Sequence, residues 1–224
     1  RQYFMPYHVK FSLYLLFILG ISDVHSQPSQ LHKKDIVFEH PNDNLELSQQ
    51  SINSIIQDKD GFLWIGTWTG LILYDGYTTK VFQSDNTTPG ALKSNKITSL
   101  FEDKKVNIWI GSMMGGLYKY EKNKNSFTQY KHDKNDPYSI SNDNIWSIIQ
   151  DKTGKLWVGT EDGLNHFDPE TGKAIRYKAD PNDDKSLSFN FITSLYLDNS
   201  NNLWIGTSDG LNLLKAQYLD SKEK

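Results

Sequence analysis

Residues 143–169 read DNIWSIIQDKTGKLWVGTEDGLNHFDP, and this stretch decides the fold. Its apolar residues alternate with polar ones instead of recurring at helical spacing, and Gly, Asp and Asn interrupt the alternation at short intervals. Such a pattern is typical of short β-strands joined by tight turns.

The same pattern occurs in four copies, which a repeated tryptophan marks at spacings of 45, 48 and 47 residues. In each copy an aspartate precedes the tryptophan by six residues, and a glycine follows it by two. The repeated positions are Asp58, Trp64 and Gly66; Asp103, Trp109 and Gly111; Asp151, Trp157 and Gly159; and Asp198, Trp204 and Gly206. A register kept in four copies indicates a repeat architecture.

Each copy has room for four strands and leaves no helical segment. In the first copy, strands are predicted near Ile52–Gln57, Leu63–Gly66, Leu71–Tyr74 and Lys80–Gln83. Asp58 and Gly61 supply its first turn, because a carboxylate can accept hydrogen bonds from nearby backbone and glycine adopts positive φ. Asn107 and Asn201–Asn202 are expected to do the same in the second and fourth copies, since asparagine tolerates the left-handed region.

Tandem four-stranded units of this length predict an all-β fold, a β-propeller in which each twisted sheet, or blade, packs on the next. The repeated tryptophan then lies between blades. Leucine-rich repeats are too short to match, and tetratricopeptide or ankyrin repeats would require helical spacing. The propeller is predicted over residues 36–218, with blade cores at approximately 52–83, 97–130, 145–177 and 192–218, followed by a charged tail at 219–224.

The sequence is compatible with two arrangements of the blades. Ile36–Glu39 resembles a fourth strand without a blade, because Val37-Phe38 precedes Ile52 much as Val81-Phe82 precedes Ile97. In propellers such a strand commonly completes the last blade. The four copies could therefore form a closed four-bladed ring, or part of a larger ring whose two terminal blade faces are exposed.

The first 26 residues are predicted to be a secretory signal peptide. Phe11–Ile21 is an apolar run too short to span a bilayer, Lys10 and Met5 precede it, and Val24-His25-Ser26 provides a cleavage site after Ser26. The peptide would comprise residues 5–26, with residues 27–35 leading to the first strand. We therefore expect an exported, periplasmic protein with no membrane insertion in its mature part.

Composition excludes several function classes. The chain has 224 residues, 24 Lys and Arg against 27 Asp and Glu, and a net charge of −3, which argues against nucleic acid or an anionic membrane as partner. The absence of cysteine excludes disulfides, thiolate nucleophiles and cysteine-ligated metals.

The repeated block resembles the two-component regulator propeller repeat. Residues 151–167, DKTGKLWVGTEDGLNHF, follow its D-x-x-G-x-L-W-I-G-T-x-x-G-L-x-x-[YF] pattern closely, and 139–142 and 186–188 resemble its S-L-S linker. The second copy departs most, with Val106 for Gly, Ser112 for Thr and one inserted residue at 113–115. The resemblance covers residues 36–214.

This resemblance implies the exported sensor region of a hybrid histidine kinase from Bacteroidetes. Such propellers precede a Y_Y_Y-type domain, a membrane helix and cytoplasmic phosphorelay domains. The chain itself is then expected to be non-enzymatic and to need no cofactor, while the full-length parent would be a histidine kinase.

No catalytic or metal-binding motif emerges from the residues. The sequence has no G-x-S-x-G elbow, Walker loop or H-E-x-x-H motif, and its histidines are widely spaced. His166 is interpreted as an ordinary strand residue. A propeller glycosidase or lyase would need clustered carboxylates, whereas the obvious ones occupy turn positions.

Binding is predicted on the loops, because recognition usually resides in loops on a rigid scaffold. The loop between the second and third strands and the linker between blades should open on one face. Its candidate ligand-binding residues are Trp68, Thr69, Met113, Met114, Glu161, Asp162, Ser208 and Asp209. Trp68 lies outside the repeated register and could stack on a sugar ring, or could merely cover the blade edge.

Two functions follow from these observations. The first is ligand sensing, with an oligosaccharide as the expected ligand. The second is a stand-alone interaction or scaffold module, whose partners would be further propeller blades or a dimer partner. Trp146, also outside the register, is expected to line the core or channel.

Overall fold

The computed structural model describes Val37 and residues 51–219. The chain divides into two units, Arg1–Glu39 and His40–Lys224, and the account below concerns the second. The predicted signal peptide lies outside the described residues. So does the fourth strand predicted at Ile36–Glu39, apart from Val37, which is exposed and in neither strand nor helix.

The described residues form an all-β fold of four antiparallel sheets, which confirms the predicted class. Blade 1 contains β1 (Ile52–Gln57), β2 (Leu63–Thr67), β3 (Leu71–Tyr74) and β4 (Thr79–Phe82). Blade 2 contains β5 (Ile97–Glu102), β6 (Ile108–Ser112), β7 (Leu117–Glu121) and β8 (Ser126–Tyr130). Blade 3 contains β9 (Ile145–Gln150), β10 (Leu156–Thr160), β11 (Gly163–Asp168) and β12 (Lys173–Tyr177).

Blade 4 differs from the other three. It contains β13 (Ile192–Leu197), β14 (Leu203–Thr207) and β15 (Gly210–Leu214), and one helical turn, α1 (Ala216–Leu219), follows. The expectation of no helical segment is therefore wrong at α1. None of the described helices is long and apolar enough to cross a membrane.

Close packing between blades explains the repeated glycine after each tryptophan. A Cβ added at Gly66 would lie 2.7 Å from Cγ2 of Ile97, the first residue of the next blade. The same contact would be 2.7 Å from Gly111 to Ile145 and 2.6 Å from Gly159 to Ile192. Only glycine lets the isoleucine of the next blade pack directly on the second strand.

The first three repeated tryptophans fill the spaces between successive described blades, as predicted. Trp64 packs with Leu100 and Ile110 of blade 2, and Trp109 packs with Ile148 and Val158 of blade 3. Trp157 contributes to the third cluster, with Ile192, Leu203 and Ile205 of blade 4. The core is thus three apolar layers, each shared by two neighbouring sheets.

The two terminal blades present apolar faces to solvent. On blade 4, Tyr196 is 60% exposed and Leu211 is 66% exposed, and on blade 1 Ile55 is 59% exposed. A closed four-bladed ring would bury these faces against each other. Within residues 51–219 the blades therefore form an open series.

Bulges in the first strands of blades 1 and 2 place side chains that hydrogen-bond to the next blade. The register of β1 shifts between Ile52 and Ser54, which frees Asn53, and its Nδ2 donates to the carbonyl of Ile97 at 2.8 Å. Thr98 in blade 2 donates to the carbonyl of Ile145 in the same way. In blades 1 and 2 the bulge thus directs a polar side chain to the next blade.

Trp146 occupies the corresponding bulge of blade 3. It packs on Phe191 of blade 4, with ring centroids 5.4 Å apart. Its buried Nε1 has no hydrogen-bond partner within the described chain. The indole therefore links blades 3 and 4 through apolar contact where Asn53 and Thr98 use hydrogen bonds.

The first turn of each blade requires one residue in the left-handed region. Gly61 and Gly154 provide it in blades 1 and 3, with φ of 92° and 90°, and Asn201 provides it in blade 4 with φ of 64°. In blade 2 the residue is Val106, with φ of 66°. The expectation for Asn107 is therefore wrong, and a β-branched side chain adopts a strained conformation.

Replacing Val106 by glycine should raise the free energy of unfolding by about 1 kcal/mol. Strain at positive φ costs on the order of 1–3 kcal/mol, which exceeds the extra backbone entropy that glycine loses on folding. Urea unfolding measures the difference. Gly154→Val, the matched reverse exchange in blade 3, should lower stability, and an unchanged or reduced stability of Val106→Gly would contradict the strain.

Candidate functional site

The repeated aspartates organise their turns and bind the repeated indoles. Asp58 Oδ1 accepts from the backbone N–H of Asp60 at 3.0 Å and of Phe62 at 2.9 Å, while its Oδ2 accepts from Trp64 Nε1 at 2.8 Å. Asp103 binds Trp109 at 2.8 Å in the same way. The spacing of six residues therefore joins the turn to the apolar layer between blades.

The same arrangement lowers a pKa in blade 4. Hydrogen bonds from Asn202, Trp204 and the backbone lower the pKa of Asp198 to about 2, because they stabilise the ionised carboxylate. These repeated carboxylates are occupied by structural hydrogen bonds.

Blade 3 is the exception, because its aspartate binds a histidine instead of the repeated indole. His166 Nε2 lies 2.8 Å from Asp151 Oδ2, and the His166 ring stacks on Trp157 with centroids 4.2 Å apart. Burial alone would raise the pKa of Asp151, but hydrogen bonds from His166 and Thr153 outweigh it and lower that pKa. Trp157 Nε1 is buried with no hydrogen-bond partner among the described residues.

The aligned copies already differ at the position that replaces the Asp–Trp hydrogen bond in blade 3. His166 pairs with Trp157 across the sheet, where the other copies place Leu73, Lys119 and Leu213 opposite their tryptophans. Leu73 and Leu213 cannot bind the carboxylate, whereas an imidazole can. The interpretation of His166 as an ordinary strand residue is therefore incomplete.

In His166→Leu, Asp151 should accept a hydrogen bond from Trp157 Nε1. The free energy of unfolding should rise by about 1 kcal/mol, because this buried N–H then gains a partner. Urea unfolding and slowed exchange of the Trp157 indole proton would measure this. The matched control, Leu73→His in blade 1, should displace Trp64 from Asp58 and lower stability. A loss of stability in His166→Leu would show that histidine is the better partner for Asp151.

The candidate loops are held by a common turn. Thr67 Oγ1 donates to the carbonyl of Gly70 at 2.9 Å, and Ser112, Thr160 and Thr207 make the equivalent bond in the other blades. The next residue anchors the loop to the start of the first strand: Met113 N donates to Lys96 O at 2.9 Å, Glu161 N to Asn144 O at 3.1 Å, and Ser208 N to Phe191 O at 3.0 Å. Backbone hydrogen bonds thus fix these loops against the first strands.

Some of the candidate residues lie together. Met114 N donates to Asn144 Oδ1 at 2.7 Å, and Asn144 Nδ2 donates to Glu161 Oε2. Asn144 therefore joins the loops of blades 2 and 3, although the sequence analysis did not select it. Its position directly before β9 was the available signal.

The other candidates make local contacts. Asp162 forms a salt bridge with Lys178 at 2.6 Å, and Asp209 N donates to Thr207 Oγ1 at 3.2 Å. Thr69 Oγ1 lies 3.1 Å from Thr67 Oγ1. None of the hydrogen bonds between described residues links Trp68 to the Met114–Asn144–Glu161 group.

Exposure distinguishes the apolar candidates. Trp68 is 38% exposed and Met114 is 64% exposed, while Met113 is partly buried. Trp68 therefore presents part of its indole to solvent. Within residues 51–219, no group of three or more His, Asp and Glu side chains is arranged to hold a metal ion.

The two-component regulator propeller model matches residues 46–69, 139–162 and 186–209. These three segments are similar to two-component regulator propeller repeats. The second copy, which departs most from the pattern, is not among the matched segments. Among the curated proteins, none matches the chain.

Solved structures of similar fold include two extracellular domains from B. thetaiotaomicron. The extracellular domain of BT4673 is 26% identical to this chain, with a TM-score of 0.64 over 78% of this chain and 23% of that chain. One structure describes BT4673 as a one-component system and another describes it as a hybrid two-component system. The extracellular domain of the hybrid two-component system BT3049 is 26% identical with a TM-score of 0.62 over 80% of this chain and 30% of that chain. The chain spans less than a third of either.

A more distant solved structure shares only the fold with this chain. Virginiamycin B lyase from Staphylococcus aureus is 14% identical with a TM-score of 0.53, over 74% of this chain and 56% of that chain. An identity this low carries no functional argument.

Proposed function

We propose that this chain belongs to the exported, periplasmic sensor region of a two-component signalling system, whose parent is a hybrid histidine kinase. The observation that carries the proposal is the likeness to extracellular domains of such systems in a chain that contains their propeller repeats. The signal peptide predicted over residues 1–26 stays a prediction.

The ligand-binding surface in this proposal is the face formed by the β2–β3-type loops. Backbone anchors hold the loops of blades 2, 3 and 4, so little conformational entropy is lost there on binding. Trp68 offers an apolar ring face, and Glu161 and Asp209 offer exposed carboxylates. An aromatic plane and hydrogen-bond acceptors on the loops of one scaffold suit an oligosaccharide, whose rings have apolar faces and polar rims.

Binding would be non-covalent and would act by shifting conformational populations. Asn144 joins the loops of blades 2 and 3, so a ligand that contacts Met114 and Glu161 would bear on the boundary between two blades. In the parent protein, a change at such boundaries would pass to the kinase through its later domains.

Trp68→Ala should weaken oligosaccharide binding by about tenfold or more, as truncation of an aromatic contact residue usually does. The test is calorimetric titration of the full chain with an oligosaccharide series, because the sugar is unidentified. Tyr77→Ala is the matched control, since Tyr77 is an exposed aromatic in the β3–β4 turn, at the opposite end of the strands.

Two results would count against the proposal. No binding of any oligosaccharide by the unaltered chain would overturn the ligand class. An equal loss of affinity in Trp68→Ala and Tyr77→Ala would overturn the location of the site.

A second candidate function is protein interaction, and the open face of blade 4 favours it. Tyr196, Leu211 and Leu213 are exposed there, and apolar patches of this kind mark interaction surfaces. The partners would be further blades or a second copy. Light scattering across a concentration series should then show a molar mass that rises with concentration, whereas a constant monomer mass would contradict self-association.

A further inference from the structure

The boundary between blades 3 and 4 departs from the repeat in residue type. Three aromatic residues lie there at positions where other copies carry polar side chains. Trp146 matches Asn53, Thr98 and Thr193; Phe191 matches Ser51, Lys96 and Asn144; and Phe189 matches Ser94 and Asn142. Since the other copies build their blades with polar residues at these positions, the repeat frame itself does not require the aromatic side chains.

One loop of blade 3, Glu161–Gly163, contacts both segments that carry the aromatic residues. Its first N–H donates to the carbonyl of Asn144 at 3.1 Å, and its last N–H donates to the carbonyl of Asn190 at 2.8 Å. Trp146 lies two residues after the first acceptor, and a phenylalanine lies on each side of the second. The loop therefore brings the aromatic segments of both blades to the side of its own carboxylate.

The aromatic side chains form a partly exposed surface. Trp146 and Phe191 pack together with ring centroids 5.4 Å apart, and both are partly exposed. Phe189 is 45% exposed. Asn190 fixes the backbone between the two phenylalanines, because its Oδ1 accepts from Ala179 N at 2.7 Å. A surface held in this way loses little conformational entropy when a ligand binds.

The polar side of this surface carries a carboxylate. Glu161 is exposed, and it accepts from Asn144 Nδ2 while keeping lone pairs for further donors. Lys178, a cation that contacts the same loop, is paired with Asp162 at 2.6 Å. A carboxylate accepts hydrogen bonds from sugar hydroxyl groups but repels acidic sugars. The charge beside the aromatic surface therefore favours a neutral sugar over a uronic or sulfated one.

We propose that Asn144, Trp146, Glu161, Phe189 and Phe191 form a binding subsite for a neutral sugar ring, the blade 3–4 subsite. The apolar face of the ring packs on the aromatic side chains, and its hydroxyl groups donate to the carboxylate. This subsite rests on the proposed function, since it takes an oligosaccharide as the ligand. It adds an aromatic contact separate from the one on blade 1, and a preference for neutral over acidic sugars.

The test is calorimetric titration of the full chain with cellohexaose, xylohexaose and mannohexaose, and with hexagalacturonate as the acidic probe. Phe191→Asn and Trp146→Thr introduce the residues of the third and second copies, so both variants should keep the blade fold, which urea unfolding checks. Each should weaken neutral-sugar binding by about tenfold or more. Tyr77→Asn, a matched exchange at an exposed aromatic residue at the opposite end of the strands, should leave the affinity unchanged.

NMR locates the sugar without relying on lost affinity. The indole N–H resonance that disappears in Trp146→Thr belongs to Trp146, and in the unaltered chain it should shift when a neutral hexasaccharide binds. If the chain binds a neutral sugar but this resonance does not shift and both variants keep full affinity, the subsite is wrong and the proposed function stands. No binding of any oligosaccharide would overturn both. Tighter binding of hexagalacturonate than of the neutral sugars would overturn the ligand class of the subsite.

Discussion

The repeated tryptophan is the contact on which the rest of the structure depends: in the first three blades it packs against the next blade, and in blades 1, 2 and 4 its indole donates to the aspartate six residues earlier. One carboxylate oxygen closes the first turn and the other fixes the indole between two sheets, as in Asp103 and Trp109. A local turn and a non-local apolar layer therefore form together. The glycine two residues after the tryptophan then admits the isoleucine of the next blade, so each blade prepares the surface on which its successor packs.

Much of this architecture could be predicted from the sequence, because strand alternation, turn residues and a fixed repeat are local signals. Strand positions, the antiparallel fold and tryptophans between blades all follow from them. The left-handed Val106, the Asp151–His166 pair and the Asn144 link between loops could not be predicted in this way. The contacts of His166 and Asn144 depend on what a second element places beside the residue, and the left-handed Val106 depends on a turn that keeps its geometry without glycine.

The candidate site could likewise be predicted only in part. The repeat frame indicated which loop residues were free to vary, and the structure places them in anchored turns with Trp68 and Met114 exposed. The repeated residues build only the scaffold, so they do not indicate which molecule the loops bind. Recognition and assembly therefore depend on where the repeat pattern departs from itself, in the loops of the blades and on the exposed face of blade 4.

The most direct test of the central claim compares Trp109→Phe with Trp204→Phe by urea unfolding. Both indoles bind an aspartate, at 2.8 Å and 3.0 Å, but only Trp109 is enclosed between two blades. If the indole stabilises the protein by joining successive blades, Trp109→Phe should cost about 2 kcal/mol more than Trp204→Phe, through lost packing in addition to the lost hydrogen bond. Equal losses would contradict the account, because the turn contact alone would then explain why the tryptophan repeats.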